Sequence, residues 1–276
     1  MVYTGKLTPS RWRMEHSCVF ATLMVFRIVA IDETYIGSHS MLRLTLPTEF
    51  SQENVDTTRW KIDKNYLNPN HYYYYVIEIM FSADAVELSR QSRANVLSLG
   101  LGGGTMNGFL RYNFPEMNIT VVEISAQMIN LAKKWFDLQI DDHHRVIHAD
   151  GVAFLKQQAD TGMKYDAVLL DACYSTQETA ENFICPVDLF LEEHVISSIA
   201  QVLSQGGVFI TDIAPMTMSF AKARKMVLRR FSKFFTNCRT NRKMASKGNE
   251  VVYCMHQRPS KNQRINLFKF LHDNPL

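Results

Sequence analysis

Two periodicities divide the chain. From Val19 to about Ile62 apolar and polar positions alternate in short runs. Here "MVFRIVAI" and "MLRLTLP" predict strands, and "DETYIGSHS", with Gly37, predicts the hairpin loop between them. A helical pattern opens in "LNPNHYYYYVIEIMFSADAVEL", with Asn68-Pro69 as its start signal. Beyond Arg93 the pattern becomes a regular alternation. The strand runs "NVLSLG", "ITVVEI", "RVIHA", "YDAVLLD" and "GGVFITDI" are each followed by a helical stretch. Those stretches are "TMNGFLRYNF", "SAQMINLAKKWFDL", "DGVAFLKQQA", the run beginning near "VDLFLEEHVISSIAQVL", and "TMSFAKARKMVLRRF". Short strands alternating with helices are βαβ units, so the predicted fold class is α/β with a doubly wound parallel sheet. "FFTNCRT" and "EVVYCM" are late strand candidates, and the tail "INLFKFLH" is a short docking helix or a frayed end. The pattern divides the chain into a β-rich region (1–64), a Rossmann-like domain (65–257) and a tail (258–276).

Composition narrows the class without naming a chemistry. An apolar fraction of 46% and a charged fraction of 21% are those of an ordinary globular protein, and 276 residues suffice to bury a core. A net charge of +3 is too small to argue for nucleic acid, and none is expected as a partner. Cys18, Cys173, Cys185, Cys238 and Cys254 are scattered, with no CxxC or Cys/His spacing that would hold a metal. They predict reduced thiols, no metal, and a cytoplasmic protein. Lys6, Arg11 and Arg13 ahead of "CVFATLMVF" loosely mimic a signal peptide, but Glu15 and His16 interrupt the approach. No uncharged run approaches the roughly 18–20 residues of a membrane span, so no membrane partner is expected. From Phe220 onward, Lys222, Lys225, Arg229 and Lys233 share one helical stripe, and Phe220, Ala223, Val227 and Phe231 the other. That is the pattern of an amphipathic helix with a solvated face; contact with an acidic partner is the functional alternative.

Chemistry enters with "NVLSLGLGGGTMNGF". Gly100, Gly102, Gly103 and Gly104 fill the turn between a strand and its helix, where backbone can approach a ligand and helix N–H groups point at it. A dinucleotide loop wants GxGxxG, but Thr105 takes the third glycine's place. The GxGxG that remains suits a nucleoside-type ligand without a pyrophosphate. The next strand ends on Glu123, where a carboxylate can accept both ribose hydroxyls. The third ends on Asp150, placed to accept from an adenine amino group or to cap the following helix. Asp171 ends the fourth, and a polar stretch follows it.

These segments resemble the spermidine synthase-like branch of class I S-adenosylmethionine-dependent methyltransferases, and within it the C-terminal domain of the elongation-factor-1-alpha lysine and N-terminal methyltransferases. The resemblance is carried by "LGLGGGTM", "FPEMNITVVEIS", "HADG", "LLDACYS" and "CPVDLFLEE", and covers roughly Ile62 to Ile213. It implies a Rossmann-like doubly wound seven-stranded sheet, a small N-terminal β-rich region, and S-adenosylmethionine as cofactor. It places the cofactor against Gly100, Gly102, Glu123, Asp150 and Asp171, with Gly103, Ile124 and Gly151 beside them. Pairing into a homodimer through the β-rich region is also common among such enzymes.

Methyl and aminopropyl transfer share this scaffold. Aminopropyltransferases of the family keep a "DSSDP"-like loop and an acid inside the glycine loop, whereas this chain has Tyr174 and Thr105 at the two positions. A multivalent polyamine would then have to enlist Glu178 or Glu181. The expected function is therefore methyl transfer to an amine, or other nucleophile, of a protein or small molecule. Aminopropyl transfer from decarboxylated S-adenosylmethionine and a non-catalytic cofactor-binding scaffold are the alternatives. Asp171 and Tyr174 are the candidate catalytic residues, and Tyr66, His71, Tyr72 and Ser175 the candidate acceptor contacts. Cys173 reads as a small apolar wall.

Overall fold

The alternation near the N-terminus forms a small antiparallel sheet, β1 (Val2–Tyr3), β2 (Phe26–Val29) and β3 (Ser40–Arg43), in that order. The computed structural model describes residues 2–3, 24–29, 40–49, 51–174, 182–243, 248–258 and 265–276. The predicted hairpin loop lies outside them except for Ser40. β2 and β3 carry Val29 and Leu42 onto Phe136, and Arg27, only 5% exposed, donates to the carbonyls of Trp135 and Thr57, each at 2.6 Å. Two charge-assisted hydrogen bonds thus fasten this sheet to the larger body.

Helix α1 (Tyr72–Ser82) is shorter than its run predicts, because Asp84 turns into the left-handed region at φ 60°. The alternation that follows it is β4 (Asn95–Leu99), α2 (Thr105–Asn113), β5 (Asn118–Glu123), α3 (Ala126–Trp135), β6 (His144–His148), α4 (Gly151–Asp160) and β7 (Tyr165–Leu170). After it come β8 (Phe183–Cys185), α5 (Glu193–Val202), β9 (Leu203–Pro215), α6 (Phe220–Phe231), β10 (Asn237–Asn241), β11 (Glu250–Met255) and α7 (Leu267–Asp273). The main sheet runs β10-β11-β9-β7-β4-β5-β6, with β8 added on β9. The strands β6, β5, β4, β7 and β9 are parallel, and β11 is antiparallel to both its neighbours. This is the Rossmann-like α/β architecture expected. The chain winds outward from β4 through β5 to β6, then returns to lay β7 on the other side of β4. The switch point therefore lies between the ends of β4 and β7, which is where open α/β sheets bind ligands.

Strand alternation decides which residues reach that crevice. Val121, Leu169 and Ile210 pack on the face covered by α1, α2 and α3, while Leu97, Leu170 and Phe209 pack under α4, α5 and α6. With period two, Glu123 at the end of β5, Asp171 just past β7 and Asp212 inside β9 all fall on the α1 face. The basic helix has the predicted polarity. Ala223, Val227 and Phe231 are fully buried, Phe220 is half-buried, and Lys222, Lys225 and Arg229 are exposed, while Lys233 pairs with Glu193. The tail forms a docked helix, with Leu267 buried and the ring of Phe270 stacked on Phe114.

The cysteines depart from the expectation of reduced thiols. Cys238 and Cys254 sit directly opposite in the β10–β11 ladder and form a disulfide, and Cys173 and Cys185 form another. Sequence separations of 12 and 16 do not announce these pairs, because tertiary register brings the sulfurs together. Among the described residues no helix is long and apolar enough to cross a membrane.

Candidate cofactor and acceptor site

At the switch point lies a cavity of about 680 Å³, within the size range of cofactor and small-molecule sites. Gly100 begins its floor. It has φ +98°, and a Cβ there would stand 2.4 Å from the Asp171 carbonyl oxygen, so β4 and β7 approach more closely than any other residue allows. The hydrogen bond from Asp171 N to Leu99 O at 2.8 Å holds these two strand ends in that contact, and one from Gly100 N to Val122 O, also 2.8 Å, ties the loop to β5.

Glu123 is 8% exposed, and its carboxylate bridges two backbones. One oxygen accepts from Leu101 N at 2.9 Å, the other from Ser125 N at 2.8 Å. This fixes the glycine loop to the turn after β5 and leaves each oxygen a lone pair for a hydroxyl. Next to it Ile124 is 69% exposed and lines the cavity, as does Leu189 at 41%. Two large apolar side chains bared at one mouth suit a flat aromatic ring. Asp150 both caps α4, accepting from Ala153 N at 2.8 Å, and lines the cavity with Gly151. One carboxylate oxygen caps the helix, which leaves the other as an acceptor at the cavity wall.

Asp171 occupies the other end. Tyr72 Oη donates to its Oδ1 at 2.7 Å. Burial, with the Glu123 charge adding to it, pushes the carboxyl up to about 7, against the opposing effect of the Tyr72 hydrogen bond. The same burial and the adjacent Asp171 raise the Tyr72 phenol well above its ordinary value, so it stays a donor at neutral pH. The His71 ring packs at a tilt against those of Tyr72 and Tyr73, with centroids 4.7 and 3.9 Å apart, and His71 reaches the cavity with Tyr72. The Cys173–Cys185 disulfide forms part of the wall past Asp171, in place of the small reduced thiol expected at Cys173.

Some candidates fall elsewhere. Gly103 does not line the cavity. A Cβ there would meet the Phe136 ring at 2.8 Å and Ser40 Cβ at 2.9 Å, so this glycine admits the N-terminal sheet, not a ligand. Tyr66 also lies outside it, its ring under the Arg43 guanidinium at 3.8 Å. Tyr174 is not among the lining residues; its backbone N–H pairs with Ile184 O as the segment after β7 runs beside β8. Ser175, with Glu178 and Glu181, lies outside the described residues.

Sequence reasoning missed Asp212. The β7–β9 register pairs Leu170 with Thr211, so Asp212 is the neighbour of Asp171 on the same face. It is 2% exposed; Oδ2 accepts from Asn249, a cavity residue, at 2.5 Å, and Oδ1 has no hydrogen-bond partner among the described residues. Burial, and after it the Asp171 charge, raises its pKa well above the usual carboxylate value. The folded state then holds a proton that the unfolded chain has released, so stability falls as pH rises above the ordinary aspartate range. Asp212→Asn, which imitates the protonated acid, should raise stability by about 1–3 kcal/mol at pH 8 and much less at pH 4. Thermal melts of both proteins from pH 4 to 8 check this; a gain that shrinks as pH rises would refute it.

Residues 81–244 match the sequence model of the spermine/spermidine synthase domain. A relative from Drosophila pseudoobscura pseudoobscura, an eEF1A lysine and N-terminal methyltransferase homolog, is 27% identical over 233 residues, which are 83% of this chain and 32% of the relative. The chain spans about a third or less of the length of the first curated relatives it matches. Human methyltransferase-like protein 13 in complex with SAH superposes with a TM-score of 0.61 at 23% identity, over 73% of this chain and 90% of that one. A spermidine synthase in complex with the transition state analogue AdoDATO gives 0.54 at 16% identity, over 88% and 74%. Both likenesses are of fold.

Proposed function

The chain belongs to the spermine/spermidine synthase domain family, and from that premise we propose that it is an S-adenosylmethionine-dependent methyltransferase acting on an amine of a protein. The observation that carries the reading is Asp171, held by Tyr72 at the switch point with a proton affinity matched to neutral pH. The eEF1A methyltransferase named among the relatives supports a protein amine as the acceptor.

The residues present suit the cofactor. Gly100 and Gly102 admit a chain lying along the loop, Glu123 keeps lone pairs for ribose hydroxyls, Ile124 and Leu189 offer apolar walls, and Asp150 keeps an oxygen for an amino group. S-adenosylmethionine supplies a methyl group on a sulfonium that leaves as a neutral thioether. What the protein must supply is a neutral nucleophile in line with that methyl. An alkylammonium, with a pKa of about 10.4, gives its proton to the Asp171 carboxylate. The neutral nitrogen so produced would stand ready for the methyl that the bound cofactor supplies, with Gly100, Gly102, Glu123 and Asp150 holding that cofactor in place. Tyr72 keeps the carboxylate turned toward the cavity throughout.

Aminopropyl transfer is the second reading, and Asp212 is the observation that favours it, since it returns a second carboxylate beside Asp171. Asp212 is shut away from the cavity wall, however, and a polyamine needs acids it can touch. The deciding experiment has two parts. Equilibrium binding should favour S-adenosylmethionine over its decarboxylated form, and an extract supplied with tritiated S-adenosylmethionine should carry label into protein. Preference for the decarboxylated cofactor, with turnover of putrescine, would establish the second reading instead.

A further inference from the structure

The Cys173–Cys185 disulfide stands in the cavity wall beside Asp171. Cys173 Sγ lies 3.9 Å from Asp171 Oδ1, the oxygen to which Tyr72 donates. As half of a disulfide that sulfur carries no hydrogen and gives the carboxylate nothing. As a thiol it would be a donor within reach of a sulfur hydrogen bond. Cys173 is half-buried, Cys185 is 8% exposed, and both line the cavity, so a small thiol can reach the bond through it. The two segments that carry the pair are also held without it. Tyr174 N donates to Ile184 O and Val187 N to Ala172 O, each at 2.9 Å, so backbone hydrogen bonds bracket the sulfurs on both sides. The Cys238–Cys254 disulfide differs: it spans the β10–β11 ladder, Cys254 is fully buried, and neither cysteine lines the cavity.

We propose that Cys173 and Cys185 form a redox switch on the acceptor side of the site, in which opening the disulfide gives Asp171 a second hydrogen-bond donor and brings a sulfur into the cavity. The use made of Asp171 rests on the function proposed above; the switch is defined by the sulfurs and the carboxylate alone. A dithiol reductant supplies the two electrons and two protons. Its thiolate attacks one sulfur and the S–S bond breaks; its second thiol then closes the reductant's own disulfide, leaving two thiols on the protein. Any disulfide holds its sulfurs about 2 Å apart, whereas non-bonded atoms need about 3.5–4 Å, so the pair must separate. Cys185 is the more buried and is paired with Ala214 of β9, so Cys173 is the one that turns, toward Asp171. A donated S–H favours the charged carboxylate, which then takes the acceptor's proton less readily, and the displaced sulfur narrows the space for the acceptor. The reduced form is thus the slower one. Glu123 and Asp150 line the other end of the cavity, so cofactor affinity is the same in both forms. The other titratable groups facing Asp171 are Tyr72 and Tyr73 from α1, Glu123 from β5 and Asp212 from β9, and none of them changes with the sulfurs.

The test reads Asp171 directly. The full chain is labelled with aspartate carrying ¹³C at the γ carbon, and the Asp171 carboxyl resonance is assigned by its loss in Asp171→Asn. Wild-type protein is oxidised with glutathione disulfide and then reduced with dithiothreitol, while alkylation and peptide masses report the state of each cysteine. The Asp171 midpoint should fall by about half a pH unit on reduction and return on reoxidation. Cys185→Ser keeps the Cys173 thiol and should hold the lower midpoint under both conditions; Cys173→Ala lacks the donor and should hold the upper one. Both variants keep the Cys238–Cys254 pair, so a response to dithiothreitol that persists in them belongs to that pair and overturns the proposal. Thermal melts identify any loss of fold, and the wild-type comparison needs no variant. Free thiols at Cys173 and Cys185 after glutathione disulfide would overturn it, as would an unmoved midpoint in wild-type protein whose pair has opened. Tritium incorporation should fall about threefold on reduction, with S-adenosylhomocysteine binding unchanged. If neither redox form labels an acceptor, the proposed function fails, while the titration still decides the switch.

Discussion

Asp171→Asn is expected to bind S-adenosylmethionine nearly as well as the wild-type protein and to transfer methyl about 10²- to 10⁴-fold more slowly. The substitution is nearly isosteric, and the Gly100 contact uses only the Asp171 backbone. What is lost is the carboxylate that takes the acceptor's proton. Since burial pushes the Asp171 carboxyl up to about 7, the wild-type rate should fall about tenfold per pH unit below that value, as the base becomes protonated. The variant has no such group, and its residual rate should lack this limb. A pH–rate profile between 5.5 and 8.5, with the cofactor dissociation constant measured alongside, separates the outcomes. An unchanged acidic limb would assign the titration to another group. A large loss of cofactor affinity would make Asp171 a cofactor ligand first.

Glu123, Asp150 and Asp171 were legible in the sequence for one physical reason. A βα unit puts the last residue of each parallel strand at the ligand edge, so an acid there can be named before any coordinates exist. Asp212 escapes that rule, because it stands inside "GGVFITDI" and its strand runs on to Pro215. Only the pairing of Leu170 with Thr211 sets it beside Asp171. The glycine loop was legible as a loop, yet its pattern does not say which glycine faces the ligand and which faces the protein. Gly100 is constrained by Asp171, and Gly103 by Phe136 and Ser40. The Cys238–Cys254 disulfide escaped because only the β10–β11 register sets the two residues opposite each other.

Gly100→Ala should do the most damage for the fewest atoms. The added methyl carbon would lie 2.4 Å from the Asp171 carbonyl oxygen and 2.8 Å from its carbon. Both belong to the end of a central strand, which cannot step aside without breaking the hydrogen bond from Asp171 N to Leu99 O. The φ of +98° adds a backbone cost that an L side chain bears and glycine does not. The two together should cost about 3–5 kcal/mol of stability and abolish cofactor binding, because the loop and the acid share this one contact. Gly108→Ala is the matched control. Gly108 lies within α2, has nothing within 4 Å of an added Cβ, and should gain about 0.5–1 kcal/mol from helix propensity alone. Urea unfolding and calorimetric titration with S-adenosylhomocysteine measure both quantities on both variants. Opposite signs in stability, with binding lost only at Gly100, are expected if the switch point is held by backbone contact. Binding retained in a folded Gly100→Ala protein would mean that β4 and β7 can part by more than an ångström without losing the site, and that Asp171 is aligned from the Tyr72 side alone.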